Sequence, residues 1–135
     1  MTEPSEQPTG ALALRSVAMP SDTNPAGDIF GGWIMALMDL AAGTAASERA
    51  RGRTATVSVS HLNFLRPVKV GDVVSVYTQV IRVGRTSMSL SVEAWADQRG
   101  AGTPHRVTAA EFVMVAVDDD GKPRPVDPPS AADRE

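Results

Sequence analysis

The sequence predicts an α+β fold in which an antiparallel sheet is laid against one long helix. Three observations predict it. An almost unbroken apolar stretch from about Gly31 to about Arg51 has the length of a long helix. Four later stretches, residues 54–65, 73–83, 86–96 and 106–117, fall to a hydrophobic period of two and are rich in Val, Thr, Ser and aromatic residues. Mostly short breaks join those stretches, which favours antiparallel neighbours.

Taken in order, residues 1–10 are polar and carry two prolines, and they are expected to be a disordered tail. Residues 11–19 form a first strand, closed by Pro20 and the polar run Ser21-Asp22-Thr23-Asn24-Pro25. The helix follows. It is apolar almost all the way round from Trp33 to Ala46, which predicts burial on every side. Gly52 then stands where a left-handed residue commonly ends a helix. The strands are broken at 67–72, at the tight Gly84-Arg85 turn, at the glycine-rich loop 97–104 and at 118–121. Residues 122–135, rich in Pro, Asp and Ala, are expected to be a second disordered tail, so that a single domain spans 11–121.

Composition narrows the function. A chain of 135 residues suits one core. Its formal net charge of -3 argues against general nucleic-acid binding, although a local basic cluster can still receive a small anion. Without cysteine there are no disulfides, thiolate nucleophiles or Cys-based zinc sites. The two histidines, His61 and His105, lack a metal-type spacing, so no metal site is expected; His61 reads as a packing or hydrogen-bonding residue in an alternating strand and not as a base. Neither a secretory pattern nor an apolar run of membrane-spanning length is present, which makes a cytoplasmic location without membrane insertion the expectation. No Gly-x-Ser-x-Gly elbow or Gly-x-x-x-x-Gly-Lys loop supports a serine or nucleotide hydrolase.

Asp39 is the residue to explain. One helical turn away stand Met35, Ala36, Ala42 and Gly43, with no Lys or Arg at ion-pair spacing. A carboxylate there is costly unless something outside the helix uses it. The blander alternative is a structural carboxylate satisfied by backbone or by a distant Arg. At the other end, Gly31 and Gly32 open the helix, where unpaired N–H groups and the positive dipole end can receive a carbonyl oxygen gaining charge. Gly-Gly alone also fits a simple sharp turn. A third constellation, Arg82-Val83-Gly84-Arg85-Thr86-Ser87, combines guanidinium forks and hydroxyls suited to phosphates, or else is a solvated turn. Trp33 and Trp95 read as core or interface residues, with Trp33 a possible lining of an acyl pocket.

These stretches carry a resemblance. Ala18-Met19-Pro20-Ser21-Asp22-Thr23-Asn24, Gly27-Asp28-Ile29-Phe30-Gly31-Gly32-Trp33-Ile34-Met35, Met38-Asp39, Asn63-Phe64, Val70-Gly71-Asp72-Val73-Val74, Val83-Gly84-Arg85 and Val115-Ala116-Val117-Asp118 resemble the hotdog-fold acyl-CoA thioesterases, closest to the bacterial YciA-type broad-specificity enzymes. The resemblance implies a hotdog fold of order β-α-β-β-β-β, its sheet wrapped around the helix. It implies hydrolysis of acyl-CoA to a free acid and coenzyme A without a cofactor. It implies Asp39 as base or nucleophile, Gly31 as the N–H donor to the thioester carbonyl, and Asn24 as a loop amide placing carbonyl or water. Gly32 and Asp28 fall in the substrate-binding loop, Asp28 with its role open between structural and catalytic. Coenzyme-A contacts are implied around Arg82, Arg85, Thr86 and Ser87, with Arg66 and Lys69 as additions.

Geometry adds a constraint. Gly31 and Asp39 lie eight residues apart, roughly 12 Å along one helix axis, too far to meet at one carbonyl. If both act in one step they come from different subunits, so an obligate dimer is expected, with tetramers or hexamers possible as the resemblance implies. Two other functions compete. A hotdog hydratase or dehydratase usually has a His near the active loop, and residues 24–32 have none. A non-catalytic acyl-CoA-binding regulatory module needs no acid facing the thioester, so Asp39 counts against it.

Overall fold

Leu, Met and Ala, all good helix formers, dominate α1 (Gly31–Ala50), while Val, Thr and Ser dominate the strands. The computed structural model describes residues 7–98 and 101–128. In it the chain runs β1 (Ala11–Val17), a short 3-10 turn at Pro20–Asp22, α1, then β2 (Thr54–Phe64), β3 (Val73–Val83), β4 (Ser87–Asp97) and β5 (His105–Ala116). The sheet order is β1-β3-β4-β5-β2, and every neighbouring pair is antiparallel. β2 therefore leaves its sequence neighbour β3 and pairs with β5 at the far edge. This five-stranded antiparallel sheet holding one long helix is the predicted α+β architecture.

Alternation along the strands sends one set of side chains toward α1. Val74 and Val76 of β3, Leu90, Val92 and Ala94 of β4, and Phe112 and Met114 of β5 are buried there against Ile34, Met38, Ala41, Ala42 and Ala46 of the helix. Alanine on the inward face lets helix and sheet approach closely. Each fully buried large side chain, Phe112 or Leu90 for example, contributes roughly 1.5–3 kcal/mol.

Four expectations need correction. The helix is not buried on every side: within one chain Met35, Ala36, Asp39 and Leu40 are exposed, because the sheet covers only one face. The left-handed residue ending the helix is Arg51, at φ 55° and ψ 46°, and not Gly52. Gly52 instead makes room for Arg124, since a Cβ there would lie 2.5 Å from its Nη2 and push the guanidinium from the Ala50 carbonyl. His61 does not pack: it is exposed, at φ 57°, where the β2–β5 register shifts between Ser60 and Asn63. Finally, residues 122–128 are not a loose tail, for Val126 is buried in the core and Arg49 grips Asp127 through two hydrogen bonds. Of the remaining tail and loop expectations, residues 1–6, 99–100 and 129–135 lie outside the described residues.

Candidate active site

The loop before α1 is organised by its own polar side chains. Asn24 Oδ1 accepts from the N–H groups of Ala26 at 3.0 Å and Asp28 at 3.1 Å, and the Asn24 N–H donates to the Asp28 carbonyl at 2.7 Å. Its oxygen is thus spent on the loop, and what Asn24 has left to offer a ligand is its amide NH₂. Ile29 N–H donates to the Val68 carbonyl at 3.1 Å, and Phe30 N–H to the Asp22 carbonyl at 2.9 Å. Beside these bonds Lys69 Nζ pairs with Asp28 Oδ1, which fastens the loop to the β2–β3 connection. Sequence left the role of Asp28 open; here its carboxylate faces a lysine.

α1 then starts at Gly31 with Phe30 as its N-cap and no capping side chain. Trp33 N–H turns back to the Phe30 carbonyl at 3.1 Å, so what this helix start has to offer a ligand is the N–H groups of Gly31 and Gly32 with the dipole behind them. Phe64 covers this start: a Cβ on Gly31 would lie 3.1 Å from its Cζ, a contact that must give by a few tenths of an ångström. Gly32 meets no such obstacle and is exposed. A groove of about 390 Å³ opens alongside, lined by Ile29, Gly31, Ile34, Phe64, Arg66 and Val68 among others. Arg66 is therefore brought to the helix start, while Lys69 is committed to Asp28.

Asp39 sits in a separate groove. It is exposed, and Thr56 of β2 donates its hydroxyl to Asp39 Oδ1 at 2.5 Å. Among the described residues no Lys or Arg pairs with it. Leu40, Gly43, Thr44, Ser47, Thr54 and Met114 line the rest of this space, about 540 Å³. The two halves of the expected chemistry thus lie in different depressions of one chain.

The third group is only partly assembled. Arg82 and Ser87 line a small groove of about 210 Å³ with Gly84, Ser89 and Val113, whereas Arg85 and Thr86 belong to the turn beside it and do not line it. Gly84 N–H closes the turn on the Ser87 carbonyl at 2.7 Å.

Sequence reasoning missed Thr56 and Phe64. Both stand on β2, and which of its residues face the helix depends on two register shifts against β5 that no local pattern announces. The hydroxyl of Thr56 was visible as a residue type; its alignment with Asp39 was not.

Comparison with known proteins closes the description of the site. Residues 26–103 match the thioesterase superfamily. The acyl-CoA thioester hydrolase YciA of Salmonella typhimurium is 48% identical over 129 residues, which cover 93% of this chain and 97% of that protein. Among solved structures, a hexameric thioesterase from Yersinia pestis is similar with a TM-score of 0.86 and 47% identity, covering 91% of this chain and 100% of that one. A hexameric broad-specificity acyl-coenzyme A thioesterase gives a TM-score of 0.84 and 46% identity, covering 95% and 87%.

Proposed function

As this chain belongs to the thioesterase superfamily, we infer that it is an acyl-CoA thioester hydrolase, converting acyl-CoA and water into a free carboxylic acid and coenzyme A. The observation that carries the reading is Asp39, a carboxylate with no cationic partner among the described residues, aimed by Thr56 into an open groove. The chemistry needs no metal or redox group, because a carboxylate and a helix start together supply a base and an oxyanion site.

In the general-base route, Asp39 takes a proton from water as the water oxygen attacks the thioester carbon. The carbonyl oxygen becomes an oxyanion, which the N–H at Gly31 stabilises with the helix dipole behind it. The C–S bond then breaks, and the departing thiolate takes the proton back from Asp39. In the nucleophilic route, a carboxylate oxygen of Asp39 attacks the same carbon, coenzyme A leaves, and water hydrolyses the resulting anhydride. With Thr56 holding Oδ1, the other oxygen serves either route. The amide of Asn24 helps place the carbonyl or the water. Asp28 and Lys69 hold the loop, Gly32 admits the substrate, and Arg66, Arg82, Arg85, Thr86 and Ser87 contact coenzyme A. A coenzyme-A ester as substrate also favours action in the cytoplasm.

The site requires two subunits. Thr56 stands beside Asp39 and Phe64 beside Gly31, so β2 runs antiparallel to α1 from one half of the chemistry to the other. Pairing the exposed edge of β2 with a second copy about its midpoint, near Ser60, brings each Thr56 level with the partner's Phe64. Each Asp39 then approaches a Gly31 from the other chain. Exposed apolar residues fit this: Leu40 and Val57 are both 62% exposed, a surface that a folded chain keeps dry by covering it with a partner. The hexameric form of similar thioesterases suggests that such dimers assemble further.

Subunit exchange tests the shared site. Asp39→Asn and Asn24→Asp are each expected to be inactive when folded and dimeric. A mixed dimer gathers both lesions into one site and leaves the other intact, so about half the parental acyl-CoA hydrolysis per mixed dimer should return. Verified exchange with no recovered activity would sink the cross-subunit arrangement.

A further inference from the structure

The segment after β5 is bonded to the same turn that carries the coenzyme-A contacts. Asp118 starts a tight reversal: its N–H donates to the Lys122 carbonyl at 2.8 Å, and its Oδ1 accepts from the N–H groups of Asp120 and Lys122, each at 2.9 Å. Gly121, at φ 80°, completes the reversal where a side chain would be strained. The chain then returns past the end of β5. Arg124 N–H donates to the Ala116 carbonyl at 2.9 Å, and Ala116 N–H in turn donates to the Thr86 carbonyl at 2.8 Å. Val126 N–H donates to the Arg85 carbonyl at 2.8 Å, while its side chain, 2% exposed, enters the core. The Arg124 guanidinium fixes the same segment to the end of α1, donating to Ala50 O at 2.9 Å, Val117 O at 3.2 Å and Pro125 O at 3.0 Å.

The turn itself has little to hold it. Its internal bond joins Gly84 to Ser87, and the two residues between them, Arg85 and Thr86, have their carbonyls held from outside by Val126 and Ala116. Holding the Arg85 carbonyl fixes the peptide plane that leaves the Arg85 Cα, and so the direction in which its side chain departs, while holding the Thr86 carbonyl fixes the next plane along. An arginine on a loosely held turn must be ordered each time it meets a phosphate, which weakens binding.

We propose that residues 122–128 are a positioning strap for the 84–86 turn, with Val126 as its positioning residue. The strap sets affinity for the coenzyme-A part of the substrate and leaves turnover to Asp39. This rests on the reading of that turn as a coenzyme-A contact. Where contacts with the phosphates are equal in ground and transition state, as the proposal takes them to be here, their loss falls on KM and not on kcat.

Val126→Pro in the full-length chain removes the N–H while keeping an apolar ring. The expected result is a rise of about fivefold, the scale of one hydrogen bond, in both KM for acyl-CoA and the inhibition constant of free coenzyme A. kcat should stay within about twofold, since Asp39 is untouched. Amide exchange across residues 84–87 should quicken. Faster exchange with unchanged KM, or a fall in kcat with unchanged KM, overturns the strap. Arg85→Ala separates this proposal from the reading beneath it. If Arg85→Ala raises KM and Val126→Pro does not, the strap alone fails; if neither does, the coenzyme-A reading of the turn fails with it. Should the proline variant not fold, Val126→Ala loosens the buried anchor instead. The same split at smaller size supports the strap, and a lowered melting temperature with unchanged KM refutes it.

Discussion

Along α1, the face turned to the sheet carries Ile34, Met38, Ala41, Ala42, Ala46 and Ala50, all buried, whereas the opposite face carries Met35, Ala36, Asp39, Leu40 and Thr44, all exposed. Both faces are largely apolar, yet only one has a neighbour within the chain. From Ala41 onward the buried residues of the inward face are all alanines, which lets the sheet press close. The outward face is apolar and also holds the one carboxylate of the segment from Gly31 to Ser47. A soluble helix with a single covered side would place several charged residues on its outer side. The difference teaches that the outward face has the composition of a surface meant to be covered, and under the proposed function its single charge belongs to chemistry performed there.

The sharpest way to break this comparison is Asp39→Asn. If the outward face serves catalysis, turnover should fall by about 10²–10⁴, the usual contribution of a positioned proton-transfer group. The midpoint of denaturant unfolding should hold or rise, because no packed neighbour is lost. Near-normal hydrolysis of acyl-CoA by the folded variant would return Asp39 to a structural role.

Much of this was legible before any coordinates. The helix and four strands have strong periods of their own, so their bounds fall within one residue of the sequence reading, whereas the first strand ends at Val17 where 19 was expected. The separation of Gly31 from Asp39 is fixed by helix rise alone. What stayed hidden depends on contacts between distant segments. Thr56 meets Asp39 only through the β2–β5 register. Residues 122–128 have the Pro-rich, charged composition of a tail, and nothing local reveals that Val126 finds a core position or that Arg124 finds the last carbonyls of α1. The all-round burial predicted for α1 failed for a different reason. Apolar composition says that a helix face favours cover, not which surface covers it; under the proposed dimer the cover on the outer face comes from a second copy.

A smaller effect, of the opposite kind, is expected on the inward face. Ala42 is fully buried between helix and sheet, and Ala42→Leu adds three carbons where none fit. Overpacking of this sort costs about 1–3 kcal/mol. Denaturant unfolding should show that loss while kcat per folded molecule stays close to the parent. A variant as stable as the parent would mean the inward face is looser than its alanines indicate; lost turnover at full stability would mean the two faces are not separable.

The smallest effect belongs to the end of α1, where Arg49 meets Asp127 with Nη1 to Oδ1 at 2.8 Å and Nη2 to Oδ2 at 3.0 Å. The hydrogen bonds from Arg49 hold the Asp127 carboxyl below its ordinary range; burial opposes them, and the positive charges of Arg49 and Arg51 add a lesser lowering. A carboxylate whose folded value is lowered stabilises the fold above its unfolded value and loses that contribution as pH falls through the folded one. Asp127→Asn should therefore lower the melting temperature near neutral pH, by on the order of one degree, since the pair is open to solvent and screened by salt. The gap between parent and variant should close as the medium is acidified below the carboxylate range, where the parent too is protonated. It should also shrink in high salt at neutral pH. A gap that persisted in acid would show that the amide disturbs packing and not charge. A drop of many degrees would make Asp127, in place of the buried Val126, the main anchor of the segment that returns to α1.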